Sequence, residues 1–170
     1  GGLIEIFAGK NLTLSSGTRL LARGTGENGD GGRIFLGSGS ADFLEGFTEL
    51  GGAELDVSGN DGMGGTVYMR IPRTEDNDGV NLSIDADFKG ASKIRVEGVK
   101  FYNDGSLSRT KLSSSKTAYK EAKAFMAHEI ADKTTILDGL TGQARGDIEG
   151  LSLVPGVEFW YDGDMTLAGR

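Results

Sequence analysis

The chain has 170 residues with 18 basic against 25 acidic side chains, a formal charge of −7, which argues against a binder of the nucleic-acid phosphate backbone. With 37% hydrophobic and 25% charged residues it has enough apolar material for a core in the single-domain size range. It has no cysteine and one histidine, His128, which excludes disulfides, thiolate metal sites, a thiol nucleophile and a two-histidine metal site; no catalytic, cofactor or metal residue is assigned. Glycine supplies 29 residues against two prolines, without the three-residue period of collagen.

The opening residues Gly1-Gly2-Leu3-Ile4 are neither an initiator methionine nor a signal peptide, and an internal piece of a longer protein is expected. No apolar run approaches the roughly 18 residues of a membrane span. A Gly-Gly pair precedes an alternating apolar run three times, at Gly1-Gly2, Gly31-Gly32 and Gly64-Gly65. Within the units the period is two residues, as at Leu12 and Leu14, Leu55 and Val57, Val67 and Met69, and Ile94 and Val96, which predicts half-buried strands. Ile4, Ile6, Leu82 and Ile84 join these as expected inward residues. Clusters of Gly, Asn and Asp at residues 24–31, 58–62 and 75–79 predict turns. No helical pattern separates the strands, so the choice lies between an antiparallel sandwich and a solenoid. Gly-Gly recurring before equivalent strands favours the solenoid, with glycine serving a sharp corner. The expected class is all-β, a right-handed parallel β-helix with one α-helical excursion: a single module over residues 1–170, with stacked coils over 1–104, helix over 113–132 and returning strands over 151–168. At Gly98 the apolar parity changes from Ile94 and Val96 to Val99 and Phe101, which predicts a bulge or corner there.

Charge divides unevenly, with 7 basic and 14 acidic residues over 1–90 and 11 of each over 91–170. From Lys116 to Ala131 the text lacks Gly and Pro and follows three serines that can cap a helix. Tyr119, Ala122, Phe125, Met126 and Ile130 form its expected docking stripe, opposite Lys116, Lys120, Lys123 and Glu121.

Four side chains are candidates for ligand binding. Asp85 and Asp87 point the same way from one strand, about 6.6 Å apart, a separation that suits the carboxylate pair of an inverting glycosidase; against this, outward charges on strands commonly keep sheets soluble. Trp160 and Tyr161, with Phe159, offer a sugar-stacking platform, although strand alternation sets Phe159 and Tyr161 on one face and Trp160 on the other. Thr74, Asp76, Asp78, Gly79 and Asp85 occupy calcium-loop offsets, but Thr at the first and Asp at the last position depart from that loop. The run Gly24 to Gly29 matches a dinucleotide fingerprint without the helix that would hold a pyrophosphate.

The runs from Ile4 to Leu14, Gly64 to Arg73 (ending Arg70-Ile71-Pro72-Arg73), Gly90 to Tyr102 and Val154 to Ala168 resemble filamentous haemagglutinin-like large exoproteins over nearly the whole chain. The Arg-Ile-Pro-Arg element and the Pro155-Gly156-Val157-Glu158 to Thr166-Leu167 element are the most specific parts. The resemblance implies a right-handed parallel β-helix, export by a two-partner system with an outer-membrane transporter as partner, and a secreted or bacterial cell-surface location. It supplies no catalytic residues. A non-enzymatic structural or adhesive segment is therefore expected, with a host or neighbouring-cell glycan or surface protein as partner. A polysaccharide-active β-helix using the outward carboxylates and a ligand-free stalk are the alternatives.

Overall fold

A computed structural model describes residues 1–40, 45–103, 117–128, 140–141 and 151–160. The strands are β1 (Leu3–Ala8), β2 (Leu12–Leu14), β3 (Arg19–Leu21), β4 (Arg33–Ser38), β5 (Thr48–Asp56), β6 (Gly65–Pro72), β7 (Leu82–Lys89), β8 (Ala91–Asn103), β9 (Leu140–Thr141) and β10 (Leu151–Trp160), with one described helix, α1 (Thr117–Met126). They form two sheets, ordered β1-β4-β6-β8-β10 and β2-β5-β7-β9, with β3 also on β5. Every strand pairing is parallel, so the sandwich of antiparallel hairpins is excluded and the chain is an all-β fold of parallel sheets.

Strands of the two sheets alternate along the chain, β2 and β3 together making one passage through the second sheet. In the first sheet Leu3 pairs Arg33, an offset of 30, and Arg33 pairs Thr66, an offset of 33. Period-two alternation then stacks like side chains in rows: Ile4, Ile34, Val67, Ile94 and Leu151 in one, and Ile6, Leu36, Met69, Val96 and Leu153 in the next. These meet Leu14, Leu50, Leu55, Ala86 and Phe88 of the second sheet in one core. Each fully buried aliphatic side chain contributes about 1.5–3 kcal/mol. All twelve residues expected to face inward lie in this core or pack against it. One buried polar pair spans the sheets, Thr48 donating its hydroxyl to Ser38 Oγ at 2.9 Å, which meets the need of each for a partner away from water.

The Gly-Gly pairs stack as the repeat suggests, but for another reason. None of the six glycines has positive φ. A Cβ on Gly32 would lie 2.1 Å from the Gly2 carbonyl oxygen, and one on Gly65 2.2 Å from that of Gly32. Close approach of successive backbones, sealed by Arg33 N–H to Gly2 O at 2.8 Å and Thr66 N–H to Gly32 O at 3.0 Å, is what excludes a side chain at every one of the six but Gly2, which faces open space.

No bulge or corner occurs at Gly98. The registers of β8 with β6 and with β10 run through it unbroken, and the irregularities fall elsewhere: at Gly52, φ 77°, the extra residue between the partners of Asp85 and Ala86, and at Ser92, the extra residue between the partners of Gly65 and Thr66. The parity change reflects covering of the opposite face. Val99 and Phe101 are buried there, outside the main core, with the Arg70 guanidinium 5.6 Å from the Phe101 ring centre. Gly98 itself continues the inward row and leaves space for the Phe125 ring, which a Cβ would meet at 2.4 Å.

Helix α1 docks through that ring. Ala118 and Phe125 are buried, with Ala122 and Met126 half-buried on the same face; Glu121, expected opposite, is half-buried on this face too, because its carboxylate accepts the Tyr102 hydroxyl and its carbonyl the Asn77 amide. Tyr119 departs from the expected stripe, being 53% exposed: it lies one helical step from Ala118, and the small alanine side is the one that lets the backbone approach the sheet. Ile130, the helix expected over 113–116 and 129–132, and the strands expected over 161–168 lie outside the described residues. Arg73, 4% exposed, anchors the contact. Its guanidinium donates to the carbonyls of Gly98 (2.8 Å) and Gly156 (2.9 Å) and to Asn77 Oδ1 (2.9 Å), and lies 4.6 Å from the Phe125 ring centre. Asn77 passes the contact on by donating to the Glu121 carbonyl at 2.8 Å.

Candidate functional site

The four sequence candidates do not converge. Asp85 and Asp87 lie in β7 on the outer face of the second sheet, alternating with the inward Ile84, Ala86 and Phe88. Asp87 stands 3.6 Å from Lys89 Nζ, and Lys89 pairs Glu54 at 2.7 Å, which Arg19 also contacts at 2.8 Å. Hydrogen bonds from Lys89 and then Arg19 hold the Glu54 carboxyl below its ordinary range, and Glu54 raises Lys89. Asp87 thus belongs to a surface charge ladder, while Asp85 is exposed with no ion-pair partner among the described residues.

Trp160 lies on edge strand β10 of the other sheet and is 50% exposed. Phe159 turns to the opposite face and stacks on Tyr102, ring centres 5.1 Å apart at 20°, as strand alternation requires; Tyr161 lies outside the described residues. The Tyr102 hydroxyl donates to Glu121, and burial followed by this bond raises its pKa. In the would-be calcium loop, Thr74 Oγ1 bonds Asp78 Oδ1 at 2.7 Å and accepts the Gly79 N–H at 3.0 Å, while Asp85 sits away in β7. Among the described residues no three His, Asp or Glu side chains converge. Residues 24–29 form a turn, Gly29 N–H to Gly26 O at 2.8 Å, leading directly to β4, and His128 is exposed beyond the helix.

The most structured exposed surface is one that motif reading missed, the outer face of the first sheet. Register sets Arg33, Thr66 and Lys93 side by side in one row, and Phe35, Tyr68 and Arg95 in the next. Together they line a shallow depression of about 430 Å³. Phe35 meets Tyr68 edge-on, centres 5.4 Å apart at 62°, and the Arg95 guanidinium lies 5.7 Å from the Tyr68 ring centre, within cation–π range. Tyr68 donates its hydroxyl to Glu97. Burial first, then that bond, raises the Tyr68 pKa to about 12, so the phenol stays neutral. Glu97 is also 3.6 Å from Arg70, which pairs Glu158, so the carboxylates at that end are matched. None of the ion pairs among the described residues uses Arg33, Lys93 or Arg95. Exposed Leu3 and Phe7 of β1 continue the face, with Glu5 between them.

This arrangement combines flat apolar rings with cations and a threonine hydroxyl on a rigid sheet. It can bind; it holds no nucleophile beside a base. Aligning residues after the Gly-Gly pairs sets Arg33 beside Thr66 and Phe35 beside Tyr68, but Lys93 and Arg95 follow no such pair. No family model, curated protein or solved structure matches the chain.

Proposed function

We propose that the chain is a stretch of right-handed parallel β-helix from a large secreted or surface-displayed bacterial exoprotein, and that it binds or spaces without catalysing. One observation carries the reading: β1, β4 and β6 recur at offsets of 30 and 33 residues in parallel register, each followed by strands of the second sheet. A chain that returns to the same row after each circuit lengthens by one strand spacing, about 4.8 Å, per repeat, which suits an extended scaffold. Right-handedness follows the general rule for parallel crossovers. Resemblance to filamentous haemagglutinin-like exoproteins supplies the bacterial surface setting and the outer-membrane transporter as export partner. A glycan or surface protein of a host or neighbouring cell is the binding partner.

Asp87 serving Lys89, and exposed Asp85 lying on a sheet face away from the aromatic depression, support a non-catalytic role. The test is retention of the purified chain on a glycan array and on cell surfaces, run beside an assay for reducing ends or unsaturated sugars. Retention without turnover is the expected result. Turnover abolished by Asp85→Asn or Asp87→Asn would establish the polysaccharide-active alternative, and absence of both would leave a ligand-free stalk.

A further inference from the structure

The geometry points to a specific ligand class for the outer face of the first sheet: we propose that it takes an acidic polysaccharide of the uronate type, laid across the strands over Phe35 and Tyr68. This rests on the reading of the segment as one that binds, and narrows it. Arg33 and Lys93 flank Thr66 in one row, two strand steps or about 9.6 Å apart at the backbone. Arg95 stands in the same strand as Lys93, two residues or about 6.6 Å on. The three cations have no carboxylate partner among the described residues, although the chain as a whole carries −7. Maintaining three neighbouring uncompensated charges on one rigid face favours an anionic partner.

The rings choose among anions. A pyranose presents a flat C–H face that packs on an aromatic ring and hydroxyls at its rim; Phe35 and Tyr68 offer the rings, and Thr66 a hydroxyl between the two cations of its row. In an extended uronate chain with two-fold symmetry the carboxylates alternate sides, so same-side acids recur every second sugar, a spacing of the kind that separates Arg33 from Lys93. Arginine adds two parallel hydrogen bonds to a planar carboxylate. An acidic peptide strand would need unpaired backbone groups for its own N–H and C=O, and a sheet face offers none. Glu5, at the β1 end of the ring row, repels acid and limits the anion to the area bounded by Arg33, Lys93 and Arg95.

The experiment is titration of the full 170-residue chain with three probes: polygalacturonate, the same polymer fully methyl-esterified, and polyglutamate. Polygalacturonate should bind about tenfold or more tightly than the ester, which keeps the rings, and than polyglutamate, which keeps the charge. Lys93→Gln and Arg95→Gln should each weaken polygalacturonate binding about tenfold with an unchanged circular dichroism spectrum, whereas Lys120→Gln on the exposed side of α1 should not. Equal binding of the ester, or indifference to both cation variants, would overturn the assignment, and tighter binding of polyglutamate would replace it with an acidic protein surface. Retention on cells or other glycans without affinity for polygalacturonate would refute the uronate class alone. Failure on every glycan and cell surface would refute the binding reading with it.

Discussion

Replacing Gly98 by alanine adds one carbon at a place where the structure has none to spare. The new Cβ would sit 2.4 Å from Phe125 Cζ and 3.0 Å from Val80 Cγ1, where carbon atoms prefer about 3.5–4.0 Å. The ring must retreat by about 1 Å, but it is fully buried and the Arg73 guanidinium lies 4.6 Å from its centre. Overpacking of this kind costs about 1–3 kcal/mol, and in a chain of this size each kcal/mol lowers Tm by about 2–4 °C. Thermal unfolding should therefore show a loss of about 2–12 °C for Gly98→Ala. Combining it with Phe125→Leu, which removes Cζ, should cost at least about 1 kcal/mol less than the sum of the single changes. A wild-type Tm for Gly98→Ala, or strict additivity in the pair, would refute the seating of α1 against β8.

The same contact predicts that Phe125→Ala costs about 3–5 kcal/mol and Tyr119→Ala within about 0.5 kcal/mol; equal losses in chemical denaturation would place the helix on its other face. Arg73→Met should destabilise by about 2–4 kcal/mol, because the carbonyls of Gly98 and Gly156 lose their donors, and an unaffected denaturation midpoint would show those acceptors satisfied otherwise. For Glu54, a folded-state pKa below the ordinary value means stabilisation that is present above the ordinary carboxylate pKa and lost as pH falls through the lowered one. The Tm gap between wild type and Glu54→Gln should thus hold at neutral pH and close below about pH 4; a gap constant down to acid pH would contradict the ladder with Lys89 and Arg19.

Where core meets water along a strand, the two-residue period is unambiguous, and Leu12, Val67, Met69, Ile94 and Val96 could be placed from sequence for that reason. The Gly-Gly repeat was legible as a repeat, yet its cause was not, since backbone crowding between residues 30 or more apart leaves no local trace. Gly98 misled because burial of Val99 and Phe101 on the second face mimics a shift of parity. Arg73 could not be recognised as an interior residue: a guanidinium following Ile71 in the inward row makes sense only once the Gly98 and Gly156 carbonyls are known to meet there. The Lys93 and Arg95 half of the aromatic and basic face was hidden, because those residues follow no Gly-Gly pair and the extra residue Ser92 puts Lys93 out of step with Arg33 and Thr66.

The stacking of successive repeats is tested most directly by distances along one row. With no native cysteine, spin labels can be attached in pairs at Glu5 with Arg95 and at Glu5 with Ser152, positions that share a row with Phe35 and Tyr68. Three strand steps separate Glu5 from Arg95 and four separate it from Ser152, so backbone separations of about 14 and 19 Å are expected, with Arg95 and Ser152 one step apart. Mean distances that rise by about 5 Å from the first pair to the second would support a parallel stack, and a Ser152 label no farther from Glu5 than the Arg95 label would contradict it.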